Sequence, residues 1–531
     1  MTSASYSISQ GMFRDARGED QDGRGEGEFV PGRVGLALVR RLCDALARDG
    51  VNYCHWKSNN ALERSASGDN DLDLLISRVD AGRFSEILYG LGFKLAKAPA
   101  EKQMSGVSDY FGYDGESGRI VHVHAHYRLM VGHDTTKNYH IPIEGPYLAS
   151  TVHGDLFRVP AAEYEFIIFI IRMVLKHFTW DSILGGEARL RKRELEEFAY
   201  LCERVDADRV SAILKRELPY LSFELFDSCK NALQAPCSLW THLKIGLRLR
   251  AALRANARCR PTADTLLRVF RRAASLMRRR FFNSVGKYRL ECGGAMIALV
   301  GGDGAGKSTA LDSLYSWASS TFDSTCVHMG KPAWSWTTVV VRGILKIAQL
   351  IGLYPVESSF EETLKQKSLV SPGYPWLLRE VCRARDRYCT FVKARRLAIN
   401  GGLVFFDRFP LRQIQLMDGP QTERFISRLT GGSRVRQWLE PVGASRLARY
   451  LVKRERVYYQ RIVPADLVVV LRVDPEIAVE RKTDEDAAAV RVRATEVWNV
   501  NWEGANVHVV DASKSKQDVV AELKALIWSH I

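Results

Sequence analysis

The chain has 531 residues, a formal net charge of +15 and 46% hydrophobic residues. That length exceeds what one core fills and predicts two or three domains. Its ten cysteines form no C-x-x-C pair and keep no regular spacing, so neither a disulfide framework nor a cysteine-built zinc site is indicated, and a cytoplasmic location is expected.

Residues 1–32 are polar and glycine-rich with no apolar stretch, so no secretory signal is expected there and the segment is predicted to be a disordered tail. Leu36, Leu38, Val39, Leu42 and Leu46 repeat with helical spacing and predict a helix over 35–49. Beyond it, 51–56 and 71–76 read as strands, 82–91 as a helix, and 120–129 as a strand whose alternation buries one face. Asp71 and Asp73 stand two apart on a strand end and so share a face, the arrangement that can hold Mg²⁺ against a nucleoside triphosphate. His122, His124 and His126 also share one face, but the outer two lie about 13 Å apart, too far for all three to grip one ion. The stripe is expected to face the acidic pair or solvent.

From 160 to 240 the pattern turns helical. Residues 165–178 are apolar nearly all round and predict a buried helix, and 188–205 are amphipathic. The segment 241–290 carries fourteen Lys or Arg against one acid, Asp264, so the rest of the chain is close to neutral. Two helices broken near Pro261 are expected, forming either a linker docked by its apolar face or a site for an anionic surface or partner, peripheral at a membrane. No recognised nucleic-acid module is present. No apolar run is long enough to span a bilayer.

Residues 296–311 read as strand, glycine-rich turn and helix. Gly301, Gly306, Lys307 and Ser308 fill the pattern G-x-x-x-x-G-K-[ST], in which Gly301, Gly302, Asp303, Gly304, Ala305, Gly306, Lys307, Ser308 and Thr309 wrap phosphates. Backbone N–H groups face the anion, Lys307 reaches the terminal phosphates and Ser308 offers a hydroxyl to Mg²⁺. Further on, 403–406 is a buried strand delivering Asp407 and Arg408 at its C-terminal end, where ligands of open α/β sheets bind. Asp407 is a candidate for the Mg²⁺ shell and Arg408 for acceptor and donor phosphates. A third buried strand, 465–473, precedes a helix capped by Asp474, and the segment 482–494 brings Lys482, Arg491 and Arg493 as a basic lid. The largely apolar stretch 337–353 is broken by Arg342 and Lys346 and predicts an amphipathic helix.

Two resemblances follow from these residues. GGDGAGKST at 301–309, DRF at 407–409 and the strand-helix-lid run from 465 make the region 291–531 resemble the thymidylate kinase family of P-loop nucleoside monophosphate kinases. The resemblance implies an α/β P-loop domain with a parallel sheet flanked by helices, and ATP and Mg²⁺ as cofactors. It implies contact of Asp303 with an acceptor sugar, of Arg408 and Arg387 with an acceptor phosphate, and a lid-supplied catalytic cation for which Arg481, Lys482 and Arg491 compete. Arg383 stands where that family carries a base-stacking phenylalanine, so the acceptor need not be thymidylate. Trp56 to Ser58 followed by DLDL makes 33–159 resemble the nucleotidyltransferase superfamily, which implies an α+β domain with Asp71 and Asp73 as N-terminal Mg²⁺ ligands. In that resemblance Lys57 replaces a turn glycine and His124 takes the place of a third carboxylate.

The expected organisation is therefore a tail (1–32), a nucleotidyltransferase-like domain (33–159), a helical tail (160–240), a basic linker (241–290) and a thymidylate kinase-like domain (291–531). The expected function is transfer of the ATP γ-phosphoryl group to a small phosphorylated acceptor, with a homodimer as a further expectation. A nucleotide-dependent switch and an N-terminal nucleotidyltransferase are the alternatives.

Overall fold

The computed structural model describes residues 35–104, 106–182, 189–234, 238–278, 280–281, 286–351, 374–411, 413–414, 422, 446–483 and 485–531, together with the backbone of 183–184, 279 and 282. The expected tail 1–32, positions 283–285 of the basic stretch and positions 352–353 of the amphipathic stretch lie outside the described residues. Gly35–Ile531 fall in one compact unit.

The fold is mixed α/β, built on two main sheets. Helix α1 (Ala37–Arg48) buries Leu38, Val39, Leu42 and Leu46, the periodic set read from the sequence. Then come β1 (Tyr53–His55), β2 (Leu72–Ile76), helix α2 (Ala81–Gly90), β3 (Lys94–Lys97), β4 (Val107–Asp114) and β5 (Arg119–His126). β2 and β5 are parallel, with Asp73 beside His124, and β4 and β5 are antiparallel, with Asp109 beside His124 on the other side.

The helical part begins with α3 (Ala162–His177), whose aliphatic and aromatic residues are buried on all sides because the helices α4 (Lys192–Cys202), α5 (Ala207–Glu217), α6 (Phe223–Gln234) and α7 (Leu239–Ala252) surround it. Helix α8 (Pro261–Phe282) starts at the proline read as the break, where a missing N–H costs nothing. It docks by its charged edge: Arg268 Nη1 and Arg272 Nη1 meet Asp181 at 2.8 and 3.0 Å, and Arg278 meets Glu101 at 2.9 Å. Leu266, Val269, Phe270, Leu276 and Met277 are exposed. The expectation that its apolar face docks is thus reversed, because the ion pairs with Asp181 and Glu101 hold the opposite edge inward.

The chain then crosses from one sheet to the other within a few residues. β6 (Arg289–Leu290) pairs with β3 and completes a six-stranded sheet of order β1-β2-β5-β4-β3-β6. β7 (Ala295–Gly301) follows, buried at every position because helices cover both faces of the parallel sheet. Helix α9 (Lys307–Ser319), β8 (Ser324–His328), α10 (Trp336–Leu350), α11 (Tyr374–Ile399), β9 (Leu403–Asp407), α12 (Arg446–Gln460), β10 (Leu467–Arg472), α13 (Pro475–Arg481), α14 (Ala487–Asn499), β11 (Val507–Asp511) and α15 (Lys516–His530) complete the chain. The five strands are all parallel in the order β8-β9-β7-β10-β11, with β7 in the centre.

The two sheets share a core. Phe111 of β4 packs edge-on against Phe322 at 5.1 Å and Tyr288 at 4.8 Å, and Trp528 Nε1 donates to the Gly92 carbonyl at 2.9 Å. No helix among the described residues is long and apolar enough to cross a membrane.

Candidate functional site

The parallel sheet directs the C-terminal ends of β7 and β9 to one edge, with Leu299 in register with Asp407. From Gly301 the chain turns through Asp303 and enters α9 at Lys307. Two glycines are required here by space. Gly304 has φ +78°, and a Cβ on it would stand 2.5 Å from the Ala478 carbonyl oxygen. A Cβ on Gly302 would stand 2.8 Å from Ala494 Cα. The glycine-rich turn is thus held directly against α13 and α14.

Lys307 is buried, and its Nζ donates to the carbonyls of Gly301 and Gly302 at 3.0 and 2.7 Å. Burial, reinforced by Arg408 and Arg493, holds its ammonium below the usual lysine range against the opposing pull of Asp303 and Asp407. Asp303 forms an ion pair with Arg493, Nε to Oδ2 at 2.7 Å, and Arg493 also bonds Glu485. Ser308 and Thr309 are exposed in the first turn of α9. Ala305 is buried and packs into the core under the sheet. Gly306 takes φ +78° as the residue capping α9.

Asp407 ends β9, with His328 Nδ1 at 3.4 Å from its Oδ2. Arg408 follows in the left-handed region at φ +56°, a conformation that costs a non-glycine side chain about 1 kcal/mol and gathers at functional sites. It lines, with Lys307, Gly301 and Phe409, a narrow cleft of about 10 Å³ at this edge. The hydroxyl of Ser308 and the carboxylate of Asp407 are oxygen donors on this edge and suit a hard cation such as Mg²⁺.

The remaining sequence-predicted residues lie elsewhere or are engaged. Arg387 of α11 is 2% exposed and donates to the carbonyls of Met329 (2.8 Å) and Gly330 (3.3 Å) and to Tyr459, so it pins the segment after β8. Arg481 donates to the Ala512 carbonyl at 2.8 Å. Arg491 pairs with Glu476 at 2.7 Å in full solvent, and Lys482 lies 3.4 Å from Glu485. Among these basic residues, it is Arg493 that meets the glycine-rich turn. The helix itself carried that signal: Val490, Ala494 and Val497 set the buried face of α14, and position 493 flanks it three after 490 and four before 497.

On the other sheet, Asp71 and Asp73 join a dense polar cluster. His122 bridges Asp71 (Nδ1, 2.9 Å) and Asp109 (Nε2, 3.0 Å). His124 bridges Asp73 (Nδ1, 3.3 Å) and Asp109 (Nε2, 2.9 Å). His126 Nε2 lies 3.4 Å from Asp73 Oδ1, and Lys57 Nζ lies 2.9 Å from the same oxygen. Burial works against ionisation of the three carboxylates, yet the imidazoles and Lys57 hold all three below the usual carboxylate range. Burial opposes protonation of His124, but its bonds to Asp109 and Asp73 lift its pKa to about 9. Burial pushes His126 down to about 4. A pair of hard Mg²⁺ ions fits this donor set poorly, since three of the groups facing the carboxylates are imidazoles and Mg²⁺ prefers oxygen ligands.

Asp109 is the third carboxylate of this cluster, and sequence reading missed it. His124 stands opposite Asp73 as read, and the acid comes from one strand further. The sequence contained a sign of β4: a tight turn at 114–118 with two glycines, preceded by VSDYFGYD and followed by the alternating strand, is a hairpin pattern.

The chain is similar to two curated proteins, each called uncharacterized ATP-binding protein YghR, from Escherichia coli K12 and from Escherichia coli O6:H1. In each case identity is 25% over 236 residues, covering 44% of this chain and 86% of the relative. No protein-family model matches the chain.

Proposed function

We propose that this protein binds ATP with Mg²⁺ at the glycine-rich turn 301–309 and transfers the γ-phosphoryl group to a small phosphorylated acceptor, in the manner of the thymidylate kinase family it resembles. The observation that carries this reading is the convergence of Lys307, the Asp303–Arg493 pair, Asp407 and Arg408 on the C-terminal edge of a parallel sheet. The 25% identity to relatives named for ATP binding supports the nucleotide part of the reading.

Each residue has a defined task in it. The amides of 302–306 and the N-terminus of α9 receive the β-phosphate, and Lys307 exchanges its bonds to the Gly301 and Gly302 carbonyls for phosphate oxygens. Ser308 and Asp407 hold Mg²⁺, which neutralises phosphate charge when bound. Arg408 binds the acceptor phosphate, and Arg493 is the lid cation that stabilises charge on the transferring group. Arg387 acts through the segment 329–330 that it pins. An oxygen of the acceptor forms a bond to the γ-phosphorus as the bond to the β–γ bridging oxygen breaks, and ADP leaves. Because the transition state is loose, positioning and charge supply most of the catalysis.

The test is ADP production from Mg-ATP by the full chain against a panel of nucleoside monophosphates and sugar phosphates, beside Lys307→Ala. Acceptor-stimulated release that the variant lacks supports the kinase and gives its acceptor class. ATP binding without stimulation by any acceptor supports a nucleotide-dependent switch instead.

A further inference from the structure

The Asp/His cluster on the six-stranded sheet contains more than a solvated stripe. We propose that Asp73, His124 and His126, with Asp71 as a nearby fourth donor, form a binding site for one divalent transition-metal ion of the zinc class.

Geometry is the first argument. Asp73 Oδ1 lies 3.3 Å from His124 Nδ1 and 3.4 Å from His126 Nε2, and one ligand atom from each residue falls within 4.8 Å of the others. A tetrahedral ion with bonds of 2.0–2.1 Å has ligand-to-ligand edges of about 3.3 Å. The observed spacings are such edges. Asp71 Oδ2, 3.9 Å from His124 Nδ1, stands where a fourth ligand would close in.

His126 supplies an independent sign. It is 3% exposed, and neither ring nitrogen makes a hydrogen bond. Its Nε2 faces Asp73 Oδ1 at 3.4 Å, the spacing of two ligands on one ion. An imidazole so deeply buried and unbonded costs stability unless something else satisfies its lone pair.

The surroundings match those of a ligating histidine. Asp109 Oδ1 accepts from His124 Nε2 at 2.9 Å, the carboxylate–histidine arrangement that fixes the tautomer and turns the other nitrogen toward a metal. Two imidazoles and a carboxylate suit Zn²⁺, Co²⁺ or Mn²⁺ better than Mg²⁺, which prefers oxygen ligands and retained water. Lys57, 2.9 Å from Asp73 Oδ1, occupies part of the place of a cation and must move aside as the ion enters and the His124 Nδ1 proton leaves.

The experiment uses the full chain, stripped with chelator and titrated with Co²⁺ and Zn²⁺, read by visible absorption of bound Co²⁺, by calorimetry and by metal content after gel filtration. One ion per chain is expected, with tetrahedral Co²⁺ absorption and no displacement by millimolar Mg²⁺. His126→Gln and, separately, His124→Gln should weaken binding by about 100-fold or more. Asp109→Asn should weaken it by roughly 10–100-fold. Lys57→Met should leave binding intact or tighten it, and Lys307→Ala should leave it unchanged. Chelator should lower the melting temperature of the native protein and not that of His126→Gln. No binding by the native chain, native-strength binding by either histidine variant, or displacement by Mg²⁺ would each overturn the proposal.

Discussion

Replacing Arg493 by alanine separates the lid residues most sharply. Its Nε meets Asp303 at 2.7 Å with both side chains less than a third exposed, so losing the pair costs folding about 1–3 kcal/mol. In the proposed transfer, where Arg493 faces the phosphoryl group, its loss acts on the rate as well. Loss of a preorganised charge contact of this kind costs about 10²–10³ in kcat, or roughly 3–4 kcal/mol of barrier. Arg493→Lys should recover little, because a point charge cannot reproduce the guanidinium fork. Arg491→Ala, by contrast, removes a solvent-exposed pair with Glu476 and should leave kcat within about threefold. Steady-state ADP release over a range of ATP and acceptor concentrations measures both, with urea unfolding as a check on stability. An Arg493→Ala protein with native kcat, or an Arg491→Ala protein as slow as Arg493→Ala, would refute the assignment.

Other substitutions have equally definite outcomes. Gly304→Ala places a Cβ 2.5 Å from the Ala478 carbonyl in a left-handed conformation, so it should lose about 2–4 kcal/mol in denaturant unfolding and weaken ATP binding with it. Arg387→Ala removes donors from the buried carbonyls of Met329 and Gly330 and should cost about 3 kcal/mol, visible as a lowered midpoint. Burial raises Glu165 to about 7, against bonds from Asn59. The folded protein therefore binds this proton more tightly than the unfolded chain, and stability falls as pH rises from about 4.5 through 7. Glu165→Gln should flatten that fall, by about 3 kcal/mol at pH 8, when unfolding free energies of the two proteins are compared across pH.

Much of the C-terminal sheet is legible in the sequence because its strands are buried on both faces. Ile297 to Val300 and Leu467 to Leu471 read as uninterrupted apolar segments, and the glycines between Gly301 and Gly306 mark a turn that only they can make. Asp407 followed for the same reason, as the residue where a buried run stops. The sequence is less legible where tertiary pairing decides. β4 mixes Asp109, Gly112 and Asp114 into an aromatic run, and distant partners make it a strand. A Cβ on Gly112 would stand 2.7 Å from the side chains of Leu38 and Phe93, so the glycine admits them, and Asp114 accepts the Leu38 amide at 2.8 Å. Leu38 lies far away in the chain, so no local pattern announces it. Arg387 shows the converse: its position on α11 was readable, but only the fold brings Met329, Gly330 and Tyr459 around its guanidinium. For α8 the composition gave the helix and its basic charge, while Asp181 and Glu101 determined which edge turned inward.

The most direct test of the central claim follows the phosphorus. With γ-labelled ATP, Mg²⁺ and the acceptor that best stimulates ADP release, the account predicts label in the acceptor, formed in step with ADP and absent with Lys307→Ala. Label confined to inorganic phosphate, or transfer undiminished in Lys307→Ala, would contradict it.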